Sequence, residues 1–336
     1  MPRQKKRLAA RLIGSFVAPP LAWLLRFTRR KAGIALLYHG IDSHHGDPTT
    51  ELSPAIAETV FARQLHHLLK HYRVVPLGDF LSAIAGRRRG ERFPVCVTFD
   101  DDLPQHIDFA MPVLRSQGVP ATFFLGGATL NQPGNTWWER LQRAVDHGST
   151  SQSLAKLLPA DKLPANGEHI DIHLLGRSVK ALTPGERRDF SERLLERAGP
   201  DPRDSGLRRD EVATLVAAGF EIGFHTRDHD TLTSLTDEEL ERSIDDGCAE
   251  LSKAAGARLR AIAYPHGRAD ARVADTARRA GFDVGFTTRS LPATPASDPL
   301  LLGRCDVVSL SSSFGEFALG ITWVLLRHAR QGAPHE

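Results

Sequence analysis

The chain reads as an α/β protein, its strands and helices alternating in the manner of a (β/α) barrel. Three observations carry that reading. Short apolar or β-branched runs recur between stretches of helical periodicity. One such run, over 95–99, ends in the three carboxylates Asp100, Asp101 and Asp102. Another, over 221–224, ends in His225, with His229 four positions on. In parallel α/β folds ligands and chemistry gather at the C-terminal ends of strands, which is where both polar endings fall.

Taken in order, the first strand is expected over 33–40, an apolar run that ends in Tyr38 and His39. An amphipathic helix over 57–72 follows, with Phe61, Leu65, Leu68 and Leu69 along one face. A short extended piece at 74–77 and a helix near 80–84 lead through the basic loop 87–89, read as a solvated turn, into the acidic strand. A helix over 109–117, closed by Gly118, then precedes a strand over 121–124. Residues 131–206 break the rhythm with Trp137 and Trp138, a serine-rich stretch and several prolines. Within them Thr183-Pro184-Gly185-Glu186 is a capping box with proline at the first helical position, which predicts a helix as far as Ala198.

A helix over 207–218 leads into the histidine strand. Thr236 to Glu239 form another capping box, opening a helix expected to run to Ala254. Strands over 261–264, 284–288 and 302–308, and a helix over 269–280 ended by Gly281, complete the alternation. The last apolar run, 317–326, is too short to span a bilayer, which takes about 20 residues, and reads as a packing or interfacial helix. The expected organisation is a basic, apolar N-terminal segment over 1–32 and a main domain over 33–310. A helical insertion occupies about 131–206 and a C-terminal helix lies within 311–336.

Length and composition, 336 residues and 41% hydrophobic, allow a substantial core. Cys96, Cys248 and Cys305 are odd in number and widely spaced, so no disulfide framework is indicated. The net charge of +3 conceals an asymmetry: residues 1–41 hold nine Lys and Arg and no acid. The apolar stretch 12–25 among these cations is interrupted by Gly14, Pro19 and Pro20 and lacks a small-residue cleavage site. It therefore reads neither as a transmembrane helix nor as a cleavable signal peptide. A basic segment with an apolar face suits an anionic bilayer, so a cytoplasmic protein peripheral to the inner membrane face is expected; the alternative is a helix packed on the domain. Nucleic acid is not an expected partner, because no stacking aromatics accompany the charge.

Three adjacent carboxylates repel one another, and burying them calls for a counter-charge, commonly a metal cation. Alone, the acidic triplet reads more simply as a solvated loop. His-x-x-x-His places two imidazoles within reach of one divalent ion. Two histidines and one carboxylate make the facial arrangement that leaves coordination positions open for water and substrate.

At these residues the sequence resembles the polysaccharide deacetylases, carbohydrate esterase family four or NodB-homology proteins. Val97-Thr98-Phe99-Asp100-Asp101-Asp102 is similar to that family's T-F-D-D-G motif, and His225-Thr226-Arg227-Asp228-His229 to its paired-histidine motif. Ala261 to Gly267 (AIAYPHG) resembles the F-A-Y-P-Y-G form of the next motif, and Gly118 to Phe124 the G-x-P-A-T-F-F strand. The resemblance runs from about residue 34 to 308, with 131–208 unmatched. It implies an irregular (β/α)7 barrel and hydrolysis of N-acetyl groups on an amino-sugar glycan or lipid-linked sugar.

The expected ligands of one divalent ion, zinc foremost, are Asp101, His225 and His229, with Asp100 as the base. A backbone N–H in the Tyr264-Pro265-His266-Gly267 turn, from Tyr264 or His266, is the expected oxyanion donor. His39 and His266 are candidates for substrate contact or for protonating the leaving amine. Trp137 and Trp138 offer a sugar-stacking platform, or else an anchor for the insertion.

Three departures from the family pattern stand out. Asp102 replaces the glycine after the two acids, which is expected to change the turn and bring a further carboxylate near the site. Ala263 stands where many members carry an arginine that orients the base; Arg268 or Arg304 is the substitute available. The C-terminal Leu-x-x-His motif has no counterpart, since 283–310 holds no histidine. Two other readings follow from these gaps: a glycan-binding relative without turnover, and a deacylase acting on a non-sugar amide or ester.

Overall fold

A computed structural model describes residues 17–132, 134, 136–163, 169–310 and 314–327. The basic cluster at 3–11 and the chain beyond 327 lie outside the described residues. The strands are Ile34–Tyr38 (β1), Ile41–Asp42 (β2), Ile56–Ala57 (β3), Arg73–Val74 (β4), Pro94–Asp100 (β5), Thr122–Leu125 (β6), Glu221–Phe224 (β7), Ala261–Ala263 (β8), Val284–Phe286 (β9) and Arg304–Asp306 (β10). Seven of them run parallel in the order β10-β1-β5-β6-β7-β8-β9. The ring nearly closes where the Leu302 N–H donates to the Gly285 carbonyl at 2.9 Å and the Arg304 N–H to that of Thr287 at 3.1 Å. The result is a (β/α)7 barrel. β4 pairs only with the start of β5, and β2 with β3 in a separate small sheet.

Side chains alternate across each strand, and the alternation decides what faces the barrel's interior. Ile34, Leu36 and Tyr38 of β1, Val95, Val97 and Phe99 of β5, and Phe123 and Leu125 of β6 join the large apolar layer beneath the helices. Their neighbours Ala35, Cys96 and Phe124, with Ala261, Ala263 and Phe286, form a second cluster inside the ring. Gly223 leaves room there for the Phe124 ring, which a Cβ would strike. Phe80 and Ile84, from the helix Leu77–Gly86, join this inner cluster and press on Gly33 beside the start of β1. By the same alternation Asp100 and Arg304 point inward.

Between β6 and β7 the helices Trp137–Asp146, Ser151–Ala155, Ile172–Lys180 and Pro184–Ala198 pack on a cluster of their own. The Thr183–Glu186 capping box forms as expected, and Thr136–Glu139 makes another, unremarked in the sequence. The insertion is tied to the barrel through the buried pair Arg187–Asp230 and through the Leu52 N–H, which donates to Gln142 Oε1 at 3.0 Å.

Several elements differ from expectation. The helix read as 236–254 is two, Asp237–Asp245 and Cys248–Ala255, because Asp246 is extended and Gly247 takes φ of +80°. β10 stops at Asp306 and the chain turns helical at Val307. Arg87 is not in a solvated turn. It is buried, and its guanidinium donates to the carbonyls of Arg26, Thr28, Arg30 and Glu91 at 2.6–3.1 Å.

Candidate active site

β5 delivers the two acids. Asp100 ends the strand pointing inward, and Arg304, fully buried on β10, meets it with both guanidinium arms at 2.6 Å. Arg304 also donates to Thr98 Oγ1 and stacks its guanidinium near Phe124 and Phe286, with 5.5 and 5.7 Å to the ring centroids. It is thus the arginine that substitutes for the one missing at Ala263, reached from a different strand. Arg268 makes no contact with Asp100. Although burial opposes ionisation, the Arg304 guanidinium holds the Asp100 carboxyl below the usual carboxylate range.

Asp101 adopts φ of +75°, so the chain turns between the two acids. That turn brings Asp101 Oδ1 to 3.5 Å from Nε2 of both His225 and His229. The left-handed residue is therefore Asp101 and not Asp102, which explains why the latter need not be glycine. Asp102 instead turns its carboxylate to the N–H groups of Gly126, Gly127 and Ala128 at 3.0–3.3 Å, stapling the loop after β6. His106, not singled out in the sequence, lies buried behind the acids; its Nε2–H donates to the carbonyls of Asp100 and Asp101 at 3.1 and 2.9 Å.

His225 follows β7 directly. Its Nδ1 lies 2.7 Å from the Ala263 carbonyl, which can only accept, so Nδ1 carries the proton and the Nε2 lone pair faces the acids. The loop beyond has left-handed backbone at Thr226 and His229, and the two imidazoles lie 4.8 Å apart, edge to face. Asp101, His225 and His229 offer ligand atoms within 4.8 Å of one another. Asp101 Oδ1 is buried without a hydrogen-bond partner. Burial and the neighbouring Asp100 charge push the Asp101 carboxyl well above its ordinary range, and burial holds both imidazoles below theirs. A desolvated carboxylate short of counter-charge, facing a neutral imidazole whose free lone pair points at it, suits a divalent cation.

The remaining residues separate into those at the site and those beside it. His266, with φ of +57° in the turn after β8, packs edge to face on His229 at 4.6 Å. Gly267 also has positive φ, and a Cβ there would strike Thr288. His39, His266 and Gly267 line a cleft of about 320 Å³ together with Asp100, Asp101, His225 and His229. Lys180 of the insertion and Asp306 line it too, neither marked by a sequence motif.

Tyr264 is a correction: its N–H donates to the Phe286 carbonyl at 3.0 Å and its hydroxyl to that of Leu300 at 2.8 Å. Neither group is left for substrate. Pro265 is buried within the turn. Trp137 is 7% exposed, packs within the insertion's cluster and also borders this cleft and the one adjoining it. Trp138 is half-buried with its ring 4.5 Å from His229, and borders both this cleft and an adjoining one of about 310 Å³.

A parallel barrel with paired carboxylates and imidazoles gathered at its strand ends defines a barrel hydrolase. The sequence matches the polysaccharide deacetylase family over residues 87–154 and 165–285, and the chain belongs to that family, a polysaccharide N-deacetylase. Among solved structures it is similar to the Streptococcus pyogenes deacetylase PplD in complex with acetate (18% identity, 82% of this chain and 92% of that one, TM-score 0.54). It is also similar to IcaB from Ammonifex degensii (20% identity, 88% and 98%, TM-score 0.54) and to a Bacillus cereus polysaccharide deacetylase (18%, 86% and 69%, TM-score 0.55). At such identities the likeness is one of fold. Among curated proteins no significant sequence match is found.

Proposed function

We propose that this chain is a metal-dependent de-N-acetylase of an amino-sugar glycan or lipid-linked sugar, with Asp101, His225 and His229 holding one divalent ion, zinc the expected one. The observation that carries the reading is the convergence of those three side chains beside a buried carboxylate already paired with a guanidinium. When bound, such an ion polarises the acetamide carbonyl and acidifies water.

The chain's own residues supply the rest. Asp100, ionised and held by Arg304, takes the proton of the water that attacks the acetyl carbon. The Arg304 fork fixes the carboxylate plane, leaving Asp100 Oδ2 3.7 Å from His225 Nε2, on the side of the ligand set. With the Tyr264 N–H committed, the His266 N–H is the turn's remaining donor for the oxyanion. As the C–N bond breaks, the amine leaves with a proton from His39 on the cleft, and acetate is released. Burial holds His266 well below the usual imidazole range, so it contacts the substrate instead. Trp138 presents its ring where a pyranose face would stack. A glycan-binding protein without turnover has no use for a buried carboxylate clamped in this way.

The test is acetate release from a panel of N-acetylated oligosaccharides and lipid-linked sugars, with and without chelator. Release that stops on chelation and returns with zinc is expected. No release from any N-acetylated sugar would overturn the substrate class, and release indifferent to chelation would overturn the metal.

A further inference from the structure

The helix over 17–25 is packed inside out. It buries Ala18 at 0% and Ala22 at 5% exposure and rests Leu25 on the core, yet leaves three large apolar residues in solvent: Val17 at 45%, Trp23 at 53% and Leu24 at 58%. Phe27, one turn after Trp23, is 42% exposed and packs edge to face against it at 4.9 Å. A helix stabilised only by the domain would show the opposite pattern. The placement is not loose. The Gly90 N–H donates to the Arg26 carbonyl at 2.8 Å, Arg89 Nε to that of Phe27 at 2.8 Å, and buried Arg87 gathers the carbonyls of Arg26, Thr28 and Arg30. Arg30 also bonds the Arg327 carbonyl at the end of the helix Phe314–Leu326, which exposes Trp323 at 58%.

The charge around this apolar knob is predominantly positive. Arg29 and Lys31 are exposed beside it, Arg26 lies over the Phe27 ring at 5.6 Å, and exposed Arg88 and Arg89 come from the clamping loop. Residues 1–41 contain no acid, and Glu91, the acid in the clamp, spends a carboxylate oxygen on the Arg88 N–H. Large exposed apolar side chains rimmed by cations form a docking surface. A second copy of the chain would bring like charge against like, whereas an anionic bilayer complements it.

We propose that this face docks on an anionic lipid surface, with Trp23, Leu24 and Phe27 entering the boundary between headgroups and acyl chains and the surrounding Arg and Lys meeting lipid phosphates. Among the described residues no helix is long and apolar enough to cross a membrane. The proposal stands apart from the catalytic reading and survives its failure.

Full-length protein is sedimented with vesicles of phosphatidylcholine alone and of phosphatidylcholine with phosphatidylglycerol, at low and high salt. Binding confined to the anionic vesicles and weakened by salt is expected. Trp23→Ser/Leu24→Ser/Phe27→Ser should abolish it, and Arg29→Glu/Lys31→Glu should weaken it by at least tenfold, each basic residue near the surface being worth roughly fivefold. Both variants should keep the wild-type far-ultraviolet circular dichroism, which establishes that they are folded. Equal binding to both vesicle types, no binding at low salt, or a triple variant that binds as wild type would each overturn the proposal. So would a self-associated wild type that the triple variant disperses without any vesicle binding.

Discussion

Asp100 and Asp101 are neighbours in sequence, yet their carboxylates serve different partners because the backbone reverses hand between them. Asp100 stays with Arg304, while Asp101 turns to the imidazoles. Asp100→Asn should therefore lower acetate release by about 10²–10⁴-fold, the usual contribution of a general base, while leaving metal binding intact. His225→Ala should lose both. Arg304→Lys keeps the charge but not the fork. It should lower kcat with little change in KM, whereas Arg304→Met, by leaving Asp100 buried and unpaired, should also cost about 3–5 kcal/mol in urea denaturation. Of these residues the acids and histidines were legible from motif spacing. The partner of Asp100 was narrowed to Arg268 or Arg304 and no further, since no local pattern says which of the two, the latter 204 positions away, reaches the acid.

At the level of elements, Asp102 acts as a staple between the loops that follow β5 and β6. Asp102→Ala leaves three backbone N–H groups without their acceptor and should cost about 1–3 kcal/mol in urea denaturation. Asp102→Gly should cost as much, since the left-handed position is already filled by Asp101 and glycine relieves no strain there. Helix starts were readable wherever capping is a local matter: Thr183–Glu186 and Thr236–Glu239 formed as written, and Thr136-Trp137-Trp138-Glu139 carried the same signal. The break at Asp246–Gly247 fell inside an apolar periodicity that continues on both sides, so periodicity alone hid it. Arg87 looked like one of three loop cations, and only the tertiary approach of 26–30 gives it acceptors. The acceptors that occupy Tyr264, on Phe286 and Leu300, are likewise non-local.

For the molecule as a whole, period-two alternation fixes which residues face the helices and which face the barrel interior, and the site is the interior row continued past the strand ends. Stability carries a pH signature away from the site. His67, packed under the C-terminal helix near Phe317, is held at a pKa of about 4, chiefly by burial and then by the charges of His71, His66 and Lys70, against 6.5 when unfolded. Between those values the unfolded chain binds a proton that the native one refuses, so stability falls as pH drops from about 6.5 to about 4. Relative to His67→Leu, the wild type should lose up to ~3 kcal/mol across that window in urea denaturation. A cation held by folded residues alone should also raise Tm in a concentration-dependent way.

The most direct test of the central claim is metal content per chain in the wild type and in three variants, by elemental analysis after dialysis against zinc. One ion per chain is predicted for the wild type and for Asp100→Asn, with loss in His225→Ala and in Asp101→Ala. An ion retained in His225→Ala, or none in the wild type, would contradict the assignment of Asp101, His225 and His229 as a single ligand set.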